Sequence, residues 1–281
     1  MKKSSFKGSI FIYLFLGILT VFTVYPILYV VFGSFKTNQE LVGGGVKLLP
    51  EVFQFGNYVE AWKLANFGRY TINSIVFSGL VAIGIVTISS LVGYVFARRE
   101  FVGKGFIYGV LVAFMFVNVG SVSLRPLFEL AVDLNLHRSM AAVVLISIGT
   151  HQATNIFLVR GYMNTIPKEL DEAATIDGCT FFQIFYLIIL PVLKPIMATV
   201  ALLAFRSAWN EFILVQIFTI SNAALRTLTA GVISLQNVGD GAAAWNIMFA
   251  GSAMSIVPIV VVYLFSSKYF MSGMTSGAVK G

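Results

Sequence analysis

Charge is what this sequence has least of. Of its 281 residues only 11% are Asp, Glu, Lys or Arg, while 58% are hydrophobic and the mean hydropathy is +0.87. Soluble domains average about 25% charged and about 45–50% apolar. Water is therefore excluded as the main solvent, and the chain belongs in a bilayer. Cysteine is nearly absent, and Cys179 alone rules out an internal disulfide. The two histidines, His137 and His151, are not spaced as a metal pair, so zinc, iron–sulfur and haem centres lack ligands. No Gly-x-x-x-x-Gly-Lys-Ser/Thr phosphate loop occurs, Gly103-Lys104-Gly105 being too short. The net charge of +7 would suggest nucleic acid in a soluble protein, but no basic run with interleaved aromatics appears. Membrane proteins gather Lys and Arg on cytoplasmic loops as orientation signals. The expectation is no nucleic-acid partner and no cofactor bound by this chain.

Long apolar runs are what the sequence does have. A helix needs about 20 apolar residues to cross the hydrocarbon core with its backbone hydrogen-bonded internally. Six stretches approach this, near 10–32, 72–97, 106–122, 140–159, 187–209 and 247–265. They predict an all-α, polytopic membrane protein of six transmembrane helices, forming a single transmembrane domain over 1–281. The third stretch is short and interrupted by Asn118 and Gly120. The first follows Lys2, Lys3 and Lys7 and exceeds a secretory signal's apolar run of about 7–15 residues. It reads as an uncleaved span with a cytoplasmic N-terminus. Counting spans then puts Arg98, Arg99 and Lys104, next Arg160, Lys168 and Lys194, and last Lys268 and Lys280 on the cytoplasmic side, where the C-terminus also falls. Ser89, Gly93 and Ala97 make a small-residue stripe that admits a close neighbouring helix.

The segment from Asn164 to Gly178, inside a cytoplasmic connection of about 161–186, is the most informative. Pro167 suits the first position of a helix. Glu169, Asp171 and Glu172 lie where carboxylates favour the positive end of the helix dipole. Gly178 fits the helix end. Leu170, Ala173 and Ala174 fall on one low-profile apolar face. Such a helix either lies on the membrane surface or enters a groove on another protein.

Glu172-Ala173-Ala174, Asp177-Gly178, Leu190-Pro191 and Pro195 resemble, in residue type and offset, the EAA loop of ABC importer permeases. Trp209-Asn210-Glu211-Phe212, the tail Ser276 to Gly281, Phe32-x-Ser34-Phe35-Lys36 and Asn57-Tyr58 are similar to maltose-type (MalG-like) carbohydrate permease subunits, across nearly the whole chain. The resemblance implies that Pro167, Glu169, Leu170, Glu172, Ala173, Ala174, Asp177 and Gly178 form a coupling helix seated on an ATPase. It implies a second, homologous permease, two ATPase subunits carrying ATP and Mg, and an extracytoplasmic solute-binding protein that delivers a sugar. It also implies a bacterial-type plasma (inner) membrane. Asn73, Asn118, Gln152, Asn155, Asn210 and Asn246 are candidates to line a sugar path, and Gln236 and Asn237 to meet the binding protein. The competing class is a secondary transporter or channel driven by an ion gradient. Such proteins usually carry ionisable groups inside the membrane, and the predicted span interiors here are nearly free of them.

Overall fold

Backbone polar groups cannot stay unpaired in hydrocarbon, which leaves helices as the way for an apolar chain of this kind to cross. Every regular element among the described residues is indeed helical. The structure is a computed structural model that describes residues 6–43, 45, 47–117, 120–235 and 244–278.

The order begins with α1 (Phe6–Gly33), α2 (Asn38–Gly43), α3 (Gly56–Leu64) and α4 (Phe67–Arg98), the last running unbroken for 32 residues. Then come α5 (Lys104–Ala113), a 3-10 turn at Gly120–Ser123, and α6 (Leu124–Asp133). The abutting pair α7 (Met140–Thr150) and α8 (Gln152–Met163) precedes α9 (Glu169–Ile176). A second abutting run holds α10 (Phe181–Ile184), a π turn at Phe185–Ile189, α11 (Leu190–Val192) and α12 (Lys194–Trp209). α13 (Ile213–Phe218), a 3-10 turn at Ala223–Leu225, α14 (Leu228–Ser234) and α15 (Trp245–Ala278) complete the chain.

Among the described residues, three helical stretches are long and apolar enough to cross a membrane: Phe11–Gly33, Phe67–Arg98 and Trp245–Leu264. Two bent pairs qualify as interrupted crossings, Met140–Thr150 with Gln152–Met163 at 48° and Phe181–Val192 with Lys194–Trp209 at 78°. The crossing expected at 187–209 is therefore not one straight helix. Proline supplies the cause, because Pro191 and Pro195 lack the N–H groups that would donate to the residues four before them. At the other bend, Asn155 Nδ2 donates to the carbonyl of His151 at 2.7 Å. The stretch expected at 106–122 coincides with a helix of ten residues, Lys104–Ala113. Ten residues rise about 15 Å, half of the roughly 30 Å hydrocarbon core. Asn118 lies outside the described residues.

The chain divides into two compact units, Met1–Gly68 with Gly231–Val257 and Arg69–Ala230 with Pro258–Gly281. In the first, Asn57 is the centre. Its Nδ2 donates to the carbonyls of Ser34 and Lys36, 2.8 Å each, and its Oδ1 accepts from Asn246 Nδ2 at 2.9 Å. Ser34 Oγ and Tyr58 Oη share a hydrogen bond of 2.7 Å. Phe35 packs with its ring centroid 5.1–5.4 Å from those of Tyr58, Phe53 and Phe55. The buried Lys36 ammonium donates to the carbonyl of Lys47.

In the second unit α4 is the axle. Apolar burial gives little driving force between helices in lipid, so association depends on close packing. Gly93 provides it: a Cβ there would sit 2.7 Å from Val159 Cγ1 and 3.2 Å from the backbone nitrogen of Arg160. The small-residue stripe thus receives α8, and Ser89 on the same stripe is fully buried. Gly93→Ala forces α4 and α8 apart and should cost about 1–3 kcal/mol of overpacking strain. Gly149→Ala, where a Cβ meets nothing within 4 Å, should be near neutral. Paired thermal unfolding curves in detergent check this, with only the Gly93 variant melting earlier.

Candidate functional site

Eight residues, Glu169 to Ile176, make a helix too short to persist alone. Its ends and one side are therefore pinned. At the C-terminal end Gly178 has φ +80°, the left-handed conformation that a side chain disfavours. The Cys179 N–H bonds the Ala174 carbonyl at 3.0 Å and the Gly178 N–H bonds that of Thr175 at 3.1 Å, a complete Schellman closure. Two residues later Thr180 and Gln183 form a reciprocal capping box that starts α10. At the N-terminal end, Lys168 supplies the carbonyl for Asp171 and Glu172 at 2.9 and 3.1 Å. Pro167 therefore precedes the helix by two residues instead of opening it, because its carbonyl serves another partner.

That partner is Arg98, the last residue of α4. Arg98 Nη2 donates to the carbonyls of Ile166 at 2.8 Å and Pro167 at 3.3 Å. Its Nε lies 2.9 Å from Asp171 Oδ2, with the two side chains only 7% and 16% exposed. Tyr94, one turn earlier, donates its hydroxyl to Asp171 Oδ1 at 3.1 Å. The Tyr94 ring stacks on Phe181 at 4.7 Å and leans on Phe185 at 5.3 Å. Arg99 lies 4.3 Å from the centroid of the same Phe181 ring, and Arg160 lies 3.7 Å from the Tyr108 centroid. Lys104 hydrogen-bonds Glu100 at 2.7 Å and holds that carboxyl below the usual carboxylate range. From sequence Arg98 reads only as an orientation charge at the end of a span, and no local pattern ties it or Tyr94 to Asp171.

The apolar face expected from Leu170, Ala173 and Ala174 is split. Ala174 is buried against its own bundle, whereas Leu170 and Ala173 are exposed. Asp171 and Ala174 face inward, and Glu169, Glu172, Ala173 and Ile176 face outward, with Ile176 86% exposed. Asp177 is an exposed C-cap.

The predicted polar path residues are distributed over both units. Asn73 Nδ2 donates to the carbonyls of Ala224 and Arg226, 2.9 Å each. Asn210 Nδ2 bonds the Arg206 carbonyl at 2.9 Å, and Asn155 and Asn246 have the partners given above. Gln152 differs, since its Oε1 and Nε2 are both buried without a hydrogen-bond partner. Beside it His151 Nδ1 is 2.8 Å from the Ser147 carbonyl, which can only accept. Nδ1 therefore carries a proton, and Nε2 shares a hydrogen bond of 2.8 Å with Ser207 Oγ. A cavity of about 390 Å³ is lined by Leu127, Leu130, Leu134, Leu145 and neighbours, and its lining suits hydrocarbon better than sugar. Gln236 and Asn237 lie outside the described residues.

Residues 89–274 match the model of the binding-protein-dependent transport system inner membrane component. The chain belongs to that family. Among similar proteins, a probable ABC transporter permease, YurM of Bacillus subtilis (strain 168), is 34% identical over 275 residues, covering 98% of this chain and 89% of the relative. The melibiose/raffinose/stachyose import permease MelC of the same organism is 33% identical, covering 83% and 84%. The arabinooligosaccharides permease AraQ of Halalkalibacterium halodurans is 34% identical, covering 92% and 91%. The fold matches a chain of a bacterial ABC transporter crystal structure, one involved in importing the acidic polysaccharide alginate, with a TM-score of 0.80. That match has 24% identity and covers 96% and 100% of the two chains.

In this permease, then, the segment from Ile166 to Gly178 is gripped from α4 at one end and locked by a glycine at the other. Gly178→Ala puts a side chain into the left-handed region, at about 1–2 kcal/mol. Amide hydrogen exchange through 169–178 should quicken about 5- to 30-fold while exchange in α4 is unchanged.

Proposed function

We propose that this permease is one transmembrane subunit of an ATP-driven importer of sugars or oligosaccharides. The observation that carries the reading is α9: a doubly pinned helix that presents Glu169, Glu172, Ala173 and Ile176 outward while Asp171 and Ala174 hold it to the bundle. A helix with a small, acidic outer face and a fixed inner face suits insertion into a groove of a separate motor. Pro167, Glu169, Leu170, Glu172, Ala173, Ala174, Asp177 and Gly178 make up this coupling segment. The motor is a pair of ATPase subunits that hold ATP and Mg.

The carbohydrate assignment follows the sugar permeases among the relatives. A solute-binding protein delivers the sugar, and a second, homologous permease completes the path. Support for a membrane partner comes from α1, whose residues 11–28 are exposed on every side within this chain. Lipid and the second permease are the apolar surroundings that such a helix requires. Orientation follows from charge. The end of the second unit that carries Arg98, Arg99, Lys104, Arg160 and Lys168 lies in the cytoplasm under the positive-inside rule. Lys2, Lys3 and Lys7 before the first span put the N-terminus there by the same rule, and an even count of six spans puts the C-terminus with it. The opposite end, with Ala224 and Arg226, faces the binding protein, and Gln236 and Asn237 belong to the same connection. Of the described path candidates, Gln152 is the one whose two polar side-chain atoms are both without a hydrogen-bond partner, which makes it the first to vary in a search for sugar contacts.

Glu172→Lys reverses a charge on the exposed, positive end of α9. Sugar uptake by membranes carrying the full transporter should fall by about tenfold or more, the effect of about 1.4 kcal/mol at an interface. The amount of permease in the membrane should not change. Wild-type uptake by that variant removes α9 from the coupling role.

A further inference from the structure

The geometry points to Arg98, with Tyr94, as the positioning residues through which movement of α9 reaches the membrane helices, by way of Asp171. The inference rests on the coupling reading of α9 and adds the joint on its inner side. One guanidinium holds three separate points of the segment: the Ile166 carbonyl, the Pro167 carbonyl and the Asp171 carboxylate. Tyr94 holds the other carboxylate oxygen. Both residues stand on the final turns of an unbroken 32-residue helix. The other end of α9 is closed by main-chain hydrogen bonds from Gly178 and Cys179, which tie the helix to its own loop and not to α4. The inward Ala174 offers a methyl group. A push on the outer face of α9 is thus delivered to α4 through a nearly buried ion pair that resists both sliding and rotation.

A mere orientation charge at a helix end would be solvated and would tolerate glutamine. Its 7% exposure and its three partners argue otherwise.

The test uses the complete transporter in proteoliposomes, with both permeases, the ATPase subunits and the solute-binding protein. Raffinose is the transported probe, replaced by arabinotriose if the wild type does not import it. Phosphate release and sugar uptake are measured together. Arg98→Gln and Asp171→Asn should each raise the ATP hydrolysed per sugar imported, by about two- to thirty-fold. The double variant should be no worse than the more severe single one, because both remove the same interaction. A purely structural role would reduce the yield of complex and leave this ratio unchanged. Tyr94→Phe keeps the ring stack and removes only the hydroxyl. It carries the test if Asp171→Asn does not assemble, and a ratio equal to wild type overturns the proposal. Additive effects in the double variant also overturn it. A wild-type complex whose hydrolysis ignores the loaded binding protein removes the importer reading and this inference with it. A responsive wild type with equally responsive variants removes the joint alone.

Discussion

In hydrocarbon a main-chain carbonyl without a partner is so unfavourable that the chain departs from helix only where a side chain can meet the exposed group. This constraint accounts for the placement of much of the polar chemistry in the protein. Asn57 covers the carbonyls of Ser34 and Lys36 after α1 ends. Asn73 covers those of Ala224 and Arg226, and Ser74 accepts from the Leu228 N–H at 2.7 Å. Thr229 reaches the Trp209 carbonyl at 2.7 Å, where α12 ends. Asn155 serves the bend at His151, and Arg98 serves the loop before α9. Each of these side chains comes from a different turn of chain from the main-chain group it serves, so the irregular segments are tied to the helices beside them.

The same bookkeeping separates the two sides of α9. Its inward side is engaged within the chain: Asp171 faces the Arg98 guanidinium at 2.9 Å, a charge contact without hydrogen-bond alignment, and accepts from the Tyr94 hydroxyl, while Ala174 is buried. Its outward side exposes carboxylates and an isoleucine with no such neighbours recorded among the described residues. A nearly buried ion pair is weak evidence for stability, because desolvation offsets much of the Coulomb gain. It is better evidence for geometry, since breaking one partner leaves an uncompensated charge, at about 3–5 kcal/mol in buried cases. Such a pair fixes where α9 sits rather than whether the chain folds.

The long crossings were legible because composition alone identifies them, and the spans expected at 10–32, 72–97 and 247–265 each fall within a single helix. The breaks were less legible. Pro191 and Pro195 signal a break, but their sequence positions do not give a 78° angle. The bend at His151 has no proline and depends on a contact from Asn155, one turn ahead. On α9 the acids and Gly178 could be placed from helix-end physics. The roles of Ala173 and Ala174 could not, because two adjacent alanines are identical in composition and differ only in which side the bundle occupies. The link from Arg98 to Asp171 spans more than seventy positions and leaves no local pattern. The motif at Ser34, Lys36 and Asn57 was recognised by resemblance, and the structure supplies its physical content as one hydrogen-bonded corner.

α4 connects these observations. The second unit contains two bent helix pairs, and a bent helix absorbs displacement at its break. α4 has no break among its 32 residues. Near its start Asn73 and Ser74 hold the connection from Ala224 to Leu228, and at its end Tyr94 and Arg98 hold α9. Those two grips are about 38 Å apart at 1.5 Å per residue, more than the thickness of the hydrocarbon core. On the importer reading one grip lies on the motor side and the other on the side where the binding protein docks. A rigid rod fixed at both ends cannot transmit a shift at one without moving the other. Little more than one turn before Arg98 the rod is packed against α8 at Gly93 with no space for a single added carbon, so the end that grips α9 is itself braced by the bundle.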